Sequence, residues 1–121
     1  MNIQAQERLD YLATLEDGWM GAGYAKAIDK YVLQQAREFF DMLGNQLSEI
    51  KLGIFPSEDG DIVVEWFLPH ETWAIDFEKE DTYVAIYDHT VDIDSPEHTK
   101  ELETKNPQNI VNFLLNHYTA G

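Results

Sequence analysis

The sequence predicts an α+β fold in which two N-terminal helices pack on a four-stranded antiparallel meander, with a short helix at the C-terminus. The spacing of apolar residues supports this prediction: it is three or four up to about residue 47 and becomes two from residue 50 onward. The alternating segments are separated by short, turn-forming groups of glycine, proline and acidic residues. Helices followed by consecutive strands are typical of the α+β class.

Two helices are predicted before the first strand. Residues 3–15 place their apolar side chains loosely on one helical side, and the glycine-rich segment EDGWMGAGY at 16–24 then interrupts the helix. The second helix has the clearer pattern. Its apolar stripe consists of Ile28, Val32, Ala36, Phe39, Phe40, Leu43 and Leu47. Such a stripe needs an apolar partner surface.

Four strands are predicted from segments with a period of two, at 50–55, 61–68, 72–78 and 82–88. We expect Trp66 to pair with Trp73, because this antiparallel register places the large apolar residues on one face. The other expected pairs are Val64 with Ile75, Ile62 with Phe77, Phe77 with Thr82, Ile75 with Val84 and Trp73 with Ile86. We expect the second helix to cover this face.

The opposite face of the predicted sheet mixes aromatic and acidic residues: Lys51, Phe55, Val63, Glu65, Phe67, Asp76, Tyr83 and Tyr87. After Asp88 the regular alternation of apolar residues is lost until residue 106. Residues 106–118 return to a helical pattern, with Asn106 suited to the N-cap and Pro107 to the first helical position. We expect residues 1–121 to form a single domain.

Composition limits the compartment and the chemistry. Hydrophobic residues make up 44% of the 121 residues, which is enough for the core of one domain. The absence of cysteine excludes disulfides, thiolate metal sites and thiol catalysis. No apolar run is long enough for a membrane span, and the N-terminus lacks the pattern of a signal peptide. We therefore expect a cytoplasmic protein that does not associate with membranes.

The net charge of −15 is concentrated in the second half of the chain. Residues 1–56 carry 8 acids and 5 bases, whereas residues 57–121 carry 15 acids and 3 bases. Such a field repels nucleic acid and anionic lipid and attracts basic proteins. We expect a basic protein as the partner, including a nucleic-acid-binding protein or nuclease complex, and no direct binding to nucleic acid. The simpler interpretation is that the charge only keeps the protein dispersed.

Catalytic and metal-binding patterns are weak. The segment DHTVDIDSPEH at 88–98 contains oxygen and nitrogen donors, but it lacks the glycine and the ligand spacing of a calcium loop. Glu65 and Asp76 share a predicted face and have two interpretations, an acid and base pair or ordinary outward-facing strand residues. No serine has the setting of a nucleophile, and GWMGAG lacks the lysine of a phosphate-binding loop. We expect no enzymatic activity, no cofactor and no metal.

Trp19 has two interpretations, an exposed anchor for a partner or a side chain folded over the end of the sheet, and we favour the second. The segments LEDGWMGAG at 15–23 and FPSEDGDIVVEW at 55–66 resemble a widespread group of small bacterial and phage-borne proteins. These proteins carry a GW-x-G-x-G segment followed by a P-x-x-D-G…E-W strand pair. The resemblance implies helices on a curved antiparallel sheet and a bacterial or phage source, and it implies no activity.

The acidic residues suggest a function outside this resemblance. Carboxylates on alternate strand residues, as expected for Asp92 and Asp94, stand about 7 Å apart, a spacing similar to that of successive phosphates. We therefore predict an acidic inhibitor that imitates nucleic acid and blocks the basic groove of a DNA- or RNA-binding protein, as anti-CRISPR or anti-restriction proteins do. The predicted partner-binding residues are Glu65, Asp76, Glu78, Asp88, Asp92, Asp94 and Glu97.

The alternative is an antitoxin or assembly factor that binds through the aromatic sheet face, with homodimerisation included. Salt distinguishes the two hypotheses, because binding by charge weakens steeply as salt rises.

Overall fold

The computed structural model describes residues 2–21 and 23–120. The helices are α1 (Ile3–Leu12), α2 (Lys30–Leu43) and α3 (Pro107–Ala120). The strands are β1 (Lys51–Pro56), β2 (Ile62–Phe67), β3 (Glu71–Phe77), β4 (Thr82–Asp88) and β5 (Thr99–Thr104), and a short 3-10 helix at Pro96–His98 precedes β5. The α+β class is therefore confirmed.

Within these residues the strands form one antiparallel meander in the order β1-β2-β3-β4-β5. The expected register is confirmed: Trp66 pairs with Trp73, which in turn pairs with Ile86. The other expected pairs are also present, namely Val64 with Ile75, Ile62 with Phe77, Phe77 with Thr82 and Ile75 with Val84. One face of the sheet consequently gathers the large apolar side chains.

The helices pack on this apolar face and form the core with it. Phe39 of α2 meets Trp66 edge to face, with ring centroids 5.9 Å apart, and also contacts Phe77. From α3, the rings of His117 and Tyr118 each lie 5.8 Å from the ring of Trp73. α1 contributes buried leucines beside β1 and α2. None of the helices in the described segments has the length and apolarity needed to cross a lipid bilayer.

Side-chain caps set the beginnings of the helices. The Asn2 and Asp29 side chains accept hydrogen bonds from the first free backbone amides of α1 and α2. Asn106 does the same for α3, at 3.0 Å from the Gln108 amide, as the sequence predicts. α1 and α2 both end earlier than expected, at Leu12 and Leu43. α2 ends there because Gly44, at φ +64°, closes the helix.

Two predictions about the C-terminal half are wrong. The sheet has a fifth strand, Thr99–Thr104, which pairs with the whole of β4 except its last residue. The C-terminal helix is not short, since its 14 residues equal the length of α2. β5 enlarges the sheet, and α3 enlarges the helical layer that covers it. β5 also adds further outward-facing residues at the edge of the sheet.

The residues that follow the first segment of the resemblance lie against the second segment. The Trp19 indole Nε1 donates to the Lys26 carbonyl at 2.7 Å, so this partly buried ring closes its own loop. The Lys26 amide then donates to the Glu58 carbonyl, and the Asp29 amide donates to the Gly60 carbonyl. Gly60 has φ +88°, and a Cβ there would lie 2.8 Å from the Ala27 carbonyl oxygen. These contacts thus join the loop before α2 to the β1–β2 turn.

Candidate functional site

The face of the sheet opposite the core, called the outer face below, is covered by none of α1, α2 and α3. The strand register arranges its side chains in three rows that run across the strands. The first row is Phe55, Val63, Asp76, Tyr83 and Glu103; the second is Gly53, Glu65, Ala74, Ala85 and Glu101; the third is Lys51, Phe67, Thr72, Tyr87 and Thr99. Rows with large aromatic side chains thus flank a middle row in which Gly53, Ala74 and Ala85 are small.

Aromatic side chains remain exposed on both sides of the middle row. Phe55 and Tyr83 expose 43% and 45% of their surface, and Phe67 and Tyr87 expose 40% and 36%. These exposed fractions are high for aromatic rings, which are usually buried under a second layer when they lie on a sheet. The outer face is therefore an apolar and acidic surface that is largely open. At one side the β4–β5 connection contacts it, where the His98 ring lies 6.1 Å from the Tyr87 ring and His89 Nε2 lies 2.8 Å from the Thr72 hydroxyl.

A depression of about 380 Å³ lies over the middle row between β3, β4 and β5. Its floor is the cross-strand pair Ala74 and Ala85, and Tyr83 and Tyr87 stand on either side of Ala85. Glu101 and Glu103 line it from β5. We call this depression the cradle. At the other end of the row the Phe55 ring lies over Gly53, 2.6 Å from where a Cβ would be.

Asp76 also lines the cradle. Burial of its carboxyl raises its pKa above the ordinary aspartate value. In addition, the Glu103 carboxylate raises the pKa of the Tyr83 hydroxyl, first by hydrogen bonding and then by its charge. The cradle is thus a site of crowded negative charge in which a cation would be stabilised.

Further acids extend the charge beyond the cradle at the β2–β3 end of the sheet. The pKa of Asp61 is raised by burial and then by the charges of Asp59, Asp76 and Asp29. The pKa of Glu78 is raised by burial and then by Asp61, Asp76 and Asp59. The nearby Lys79 ammonium lies 3.6 Å from Asp29 and offsets only part of this repulsion.

The structure divides the predicted partner-binding residues into two groups. Glu65 and Asp76 lie on the outer face, and Glu78 lies in the turn after β3, close enough to Asp76 for their charges to interact. Asp88 ends β4, about 20 Å away along the strand from its beginning at Thr82. Asp92, Asp94 and Glu97 follow in the connection to β5. The two groups lie near opposite ends of the strands.

The expected strand spacing of Asp92 and Asp94 is wrong. These residues lie in a turn, where the Asp92 carboxylate accepts a hydrogen bond from the Asp94 amide at 2.9 Å. This local bond competes with strand pairing, as aspartate often does in loops. The strand pattern that the sequence analysis expected there is instead present in β5, where Glu101 and Glu103 both point to the outer face. Their alternation around Leu102 was the one available signal.

A second depression, of about 420 Å³, lies at the end of the sheet beside α3. Its polar centre is Glu71, whose Oε1 accepts hydrogen bonds from Trp73 Nε1 and from His117 Nε2, both at 2.9 Å. Glu71 and His117 are 46 residues apart, and neither was predicted as a site residue. No serine, threonine or cysteine lines this depression in the described residues, so the Glu71 and His117 pair has no nucleophile to activate.

The histidines of the acidic connection have protein partners. His89 Nε2 lies 2.8 Å from the Thr72 hydroxyl, and His98 Nδ1 lies 3.1 Å from the Val91 carbonyl. Nowhere in residues 2–21 and 23–120 do three or more histidine or carboxylate side chains converge in a way that could hold a metal ion.

Comparisons of the chain with family models, with curated proteins and with solved structures find no match. The geometry of the outer face therefore carries the functional argument.

Proposed function

We propose that this protein is an acidic interaction domain that binds a basic protein through the outer face of its sheet. The observation that carries the proposal is the outer face itself, where four exposed aromatic rings stand among carboxylates that have no covering layer. Aromatic residues are enriched at protein interfaces, and carboxylates select a basic partner by charge complementarity.

The specific role that we propose is inhibition of a nucleic-acid-binding protein by occupation of its basic groove. Glu101 and Glu103 alternate along β5, so their carboxylates repeat at about 7 Å, similar to the phosphates of one nucleic-acid strand. The remaining acids of residues 57–121 extend the negative field around this surface. A basic groove that binds phosphates would meet complementary charge here.

A second candidate function, non-mimic binding as in an antitoxin or assembly factor, is favoured by Phe55 and Phe67. These rings are exposed beside Gly53, at the end of the outer face away from Glu101 and Glu103. A partner held mainly by these rings would bind through apolar contact, and its affinity would change little with salt.

The test compares two triple charge reversals that change the net charge equally. One carries Glu65→Lys, Asp76→Lys and Glu101→Lys on the outer face; the other carries Glu7→Lys, Glu16→Lys and Asp41→Lys, on the helical side of the molecule. Binding to a labelled peptide of about 20 residues rich in lysine and arginine is measured by fluorescence anisotropy at low and moderate salt.

We expect the outer-face variant to lose binding and the helical-side variant to keep most of it. For the unchanged protein, affinity should fall steeply with salt, as for ligands that neutralise several charges. Equal losses in both variants would mean that only net charge matters, and unchanged binding in both would refute the proposal. Binding that resists salt but is lost in Phe55→Ser with Phe67→Ser would support the second candidate.

A further inference from the structure

We propose that the cradle holds the side chain of one arginine of the partner, with its guanidinium stacked on Tyr83 and against the Asp76, Glu101 and Glu103 carboxylates. This inference rests on the proposed function and names the group that the outer face selects. It follows from the shape of the cradle, from its charge and from the placement of Asp76 and Glu103 on the strands on either side of Tyr83.

The shape of the cradle admits a planar group that lies against one tyrosine ring. Ala74 and Ala85 pair across β3 and β4, so the floor carries only methyl groups. Tyr83 and Tyr87 lie two positions before and after Ala85 on the same face, each about 7 Å from it along the strand. The two rings therefore bound, about 14 Å apart, a depression over the alanines that is open to solvent. Tyr83 is 45% exposed and offers a ring surface for stacking, whereas the Tyr87 ring already lies 6.1 Å from the His98 ring. A guanidinium is planar and stacks on aromatic faces.

The charge of the cradle requires a cation. Its ionisable lining consists of three carboxyl groups, Asp76, Glu101 and Glu103, together with the two tyrosine hydroxyls. A carboxylate or phosphate would be repelled there, and an uncharged apolar side chain would bury the carboxylates without compensation. A cationic side chain would gain both ion pairs and contact with the face of the Tyr83 ring.

Asp76 distinguishes arginine from lysine. It is an exposed residue of β3 and lies across Tyr83 from Glu103 of β5, and in the described part of the chain it forms no ion pair. A guanidinium has five N–H donors in a rigid fork and is weakly hydrated, so it can bridge Asp76 and a glutamate of β5 while it enters the cradle. The ammonium of lysine is compact and strongly hydrated, and it cannot bridge both strands from a stacked position.

The first test follows the methyl groups of Ala74 and Ala85 by NMR. Three capped peptides that differ in one residue are titrated into the protein: Gly-Arg-Gly, Gly-Lys-Gly and Gly-citrulline-Gly. We expect the arginine peptide to shift both methyl signals and to bind about tenfold more tightly than the lysine peptide, which corresponds to about 1.4 kcal/mol. The citrulline peptide, which has the same shape without charge, should leave these signals unchanged. Equal affinity for arginine and lysine, or shifts confined to other residues, would overturn the inference.

The second test fills the cradle without changing its charge. Ala85→Leu places a branched side chain on the floor between the two tyrosines, and Val63→Leu is the matched control on the outer face outside the cradle. We expect Ala85→Leu to reduce affinity for the arginine peptide at least about tenfold and Val63→Leu to leave it unchanged. Near-identical spectra elsewhere in the sheet would show that both variants fold.

These tests separate the inference from the proposed function. If Ala85→Leu binds the arginine peptide as well as the unchanged protein does, the cradle is not the arginine site. The outer-face charge reversals would still decide the proposed function independently, because they are measured with the basic peptide of about 20 residues. If the reversals also have no effect on that peptide, both proposals fail.

Discussion

The Asp61 carboxyl illustrates what crowded acids do to the energetics of a single residue. Burial and three neighbouring carboxylates raise its pKa above the ordinary value of 3.8, while Lys79 lowers it. A raised pKa means that the folded protein binds this proton more tightly than the unfolded chain does. The resulting contribution to stability is present below the ordinary pKa and is lost as pH rises through the folded one. At neutral pH the ionised Asp61 therefore destabilises the fold.

We predict that Asp61→Asn stabilises the protein at pH 7 by up to about 1 kcal/mol, the range of partly exposed charge interactions. The gain should shrink as pH falls toward 4, because Asp61 itself then becomes protonated in the folded state. Urea denaturation midpoints at the two pH values measure both effects. Glu16→Gln, which removes one charge from an exposed loop, is the control and should change little at either pH. A gain that does not depend on pH would contradict the electrostatic explanation.

Trp66 and Phe39 connect the sheet to α2 at the centre of the core. Their exposed fractions are 1% and 0%, and their rings meet edge to face. Truncation of either residue to alanine should cost about 3 to 5 kcal/mol, a large part of the stability of a domain of this size. Urea denaturation measures the loss, with Ile93→Ala as the control because Ile93 is 77% exposed. An unchanged midpoint for Trp66→Ala would contradict the packing described above.

At the scale of elements, the parts of the fold that bury apolar side chains could be predicted and the others could not. The register of β2, β3 and β4 follows from the single assumption that Trp66 and Trp73 pair, because a slip of one residue would move every core side chain to solvent. β5 carries no such constraint. In TKELET only Leu102 is apolar, so this edge strand lacks the alternation from which strands are predicted.

The presence or absence of a buried apolar pattern also explains which residues of the candidate site could be predicted and which were missed. The outer-face positions of Glu65 and Asp76 follow from the register, whereas Glu101 and Glu103 could be placed only once β5 was known. The turn at Asp92 and Asp94 depends on a local side-chain hydrogen bond that alternation does not reveal. The contact of Glu71 with His117 joins residues 46 positions apart and needs the position of α3.

The connection between β4 and β5 should not respond to metal ions, because its histidine nitrogens already have protein partners. We predict that calcium, magnesium or zinc at modest concentration leaves the melting temperature nearly unchanged. Differential scanning calorimetry with each ion, compared with a chelator control, measures this. A saturable rise of several degrees with one ion, abolished by His89→Ala and His98→Ala, would show that the connection rearranges into a metal site.

At the scale of the whole molecule, the two sides of the sheet have different roles. The apolar side is covered by α1, α2 and α3, and the outer face is open and acidic. The ion pair between Arg37 and Asp10, at 2.8 Å, and the bond from Arg8 Nε to the Ile54 carbonyl place both arginines of the sequence in contacts among α1, α2 and β1. Of the positive charges, only Lys51 belongs to the three outer-face rows, at the far corner from the cradle.

This distribution of charge makes a prediction about self-association. Two copies that paired through their outer faces would bring Glu65, Asp76, Glu101 and Glu103 of each against the same acids of the other, and like charges at an interface disfavour pairing. We therefore expect a monomer of 14.0 kDa at low salt, measured by light scattering during size-exclusion chromatography.

Because screening shortens the range of this repulsion, any association through Phe55 and Phe67 should increase with salt, and Phe55→Ser with Phe67→Ser should abolish it. A dimer that is stable at low salt and is lost in this double variant would show the reverse: the aromatic rings would outweigh the charge, the outer face would be buried between copies, and a basic partner would have to displace one of them to bind.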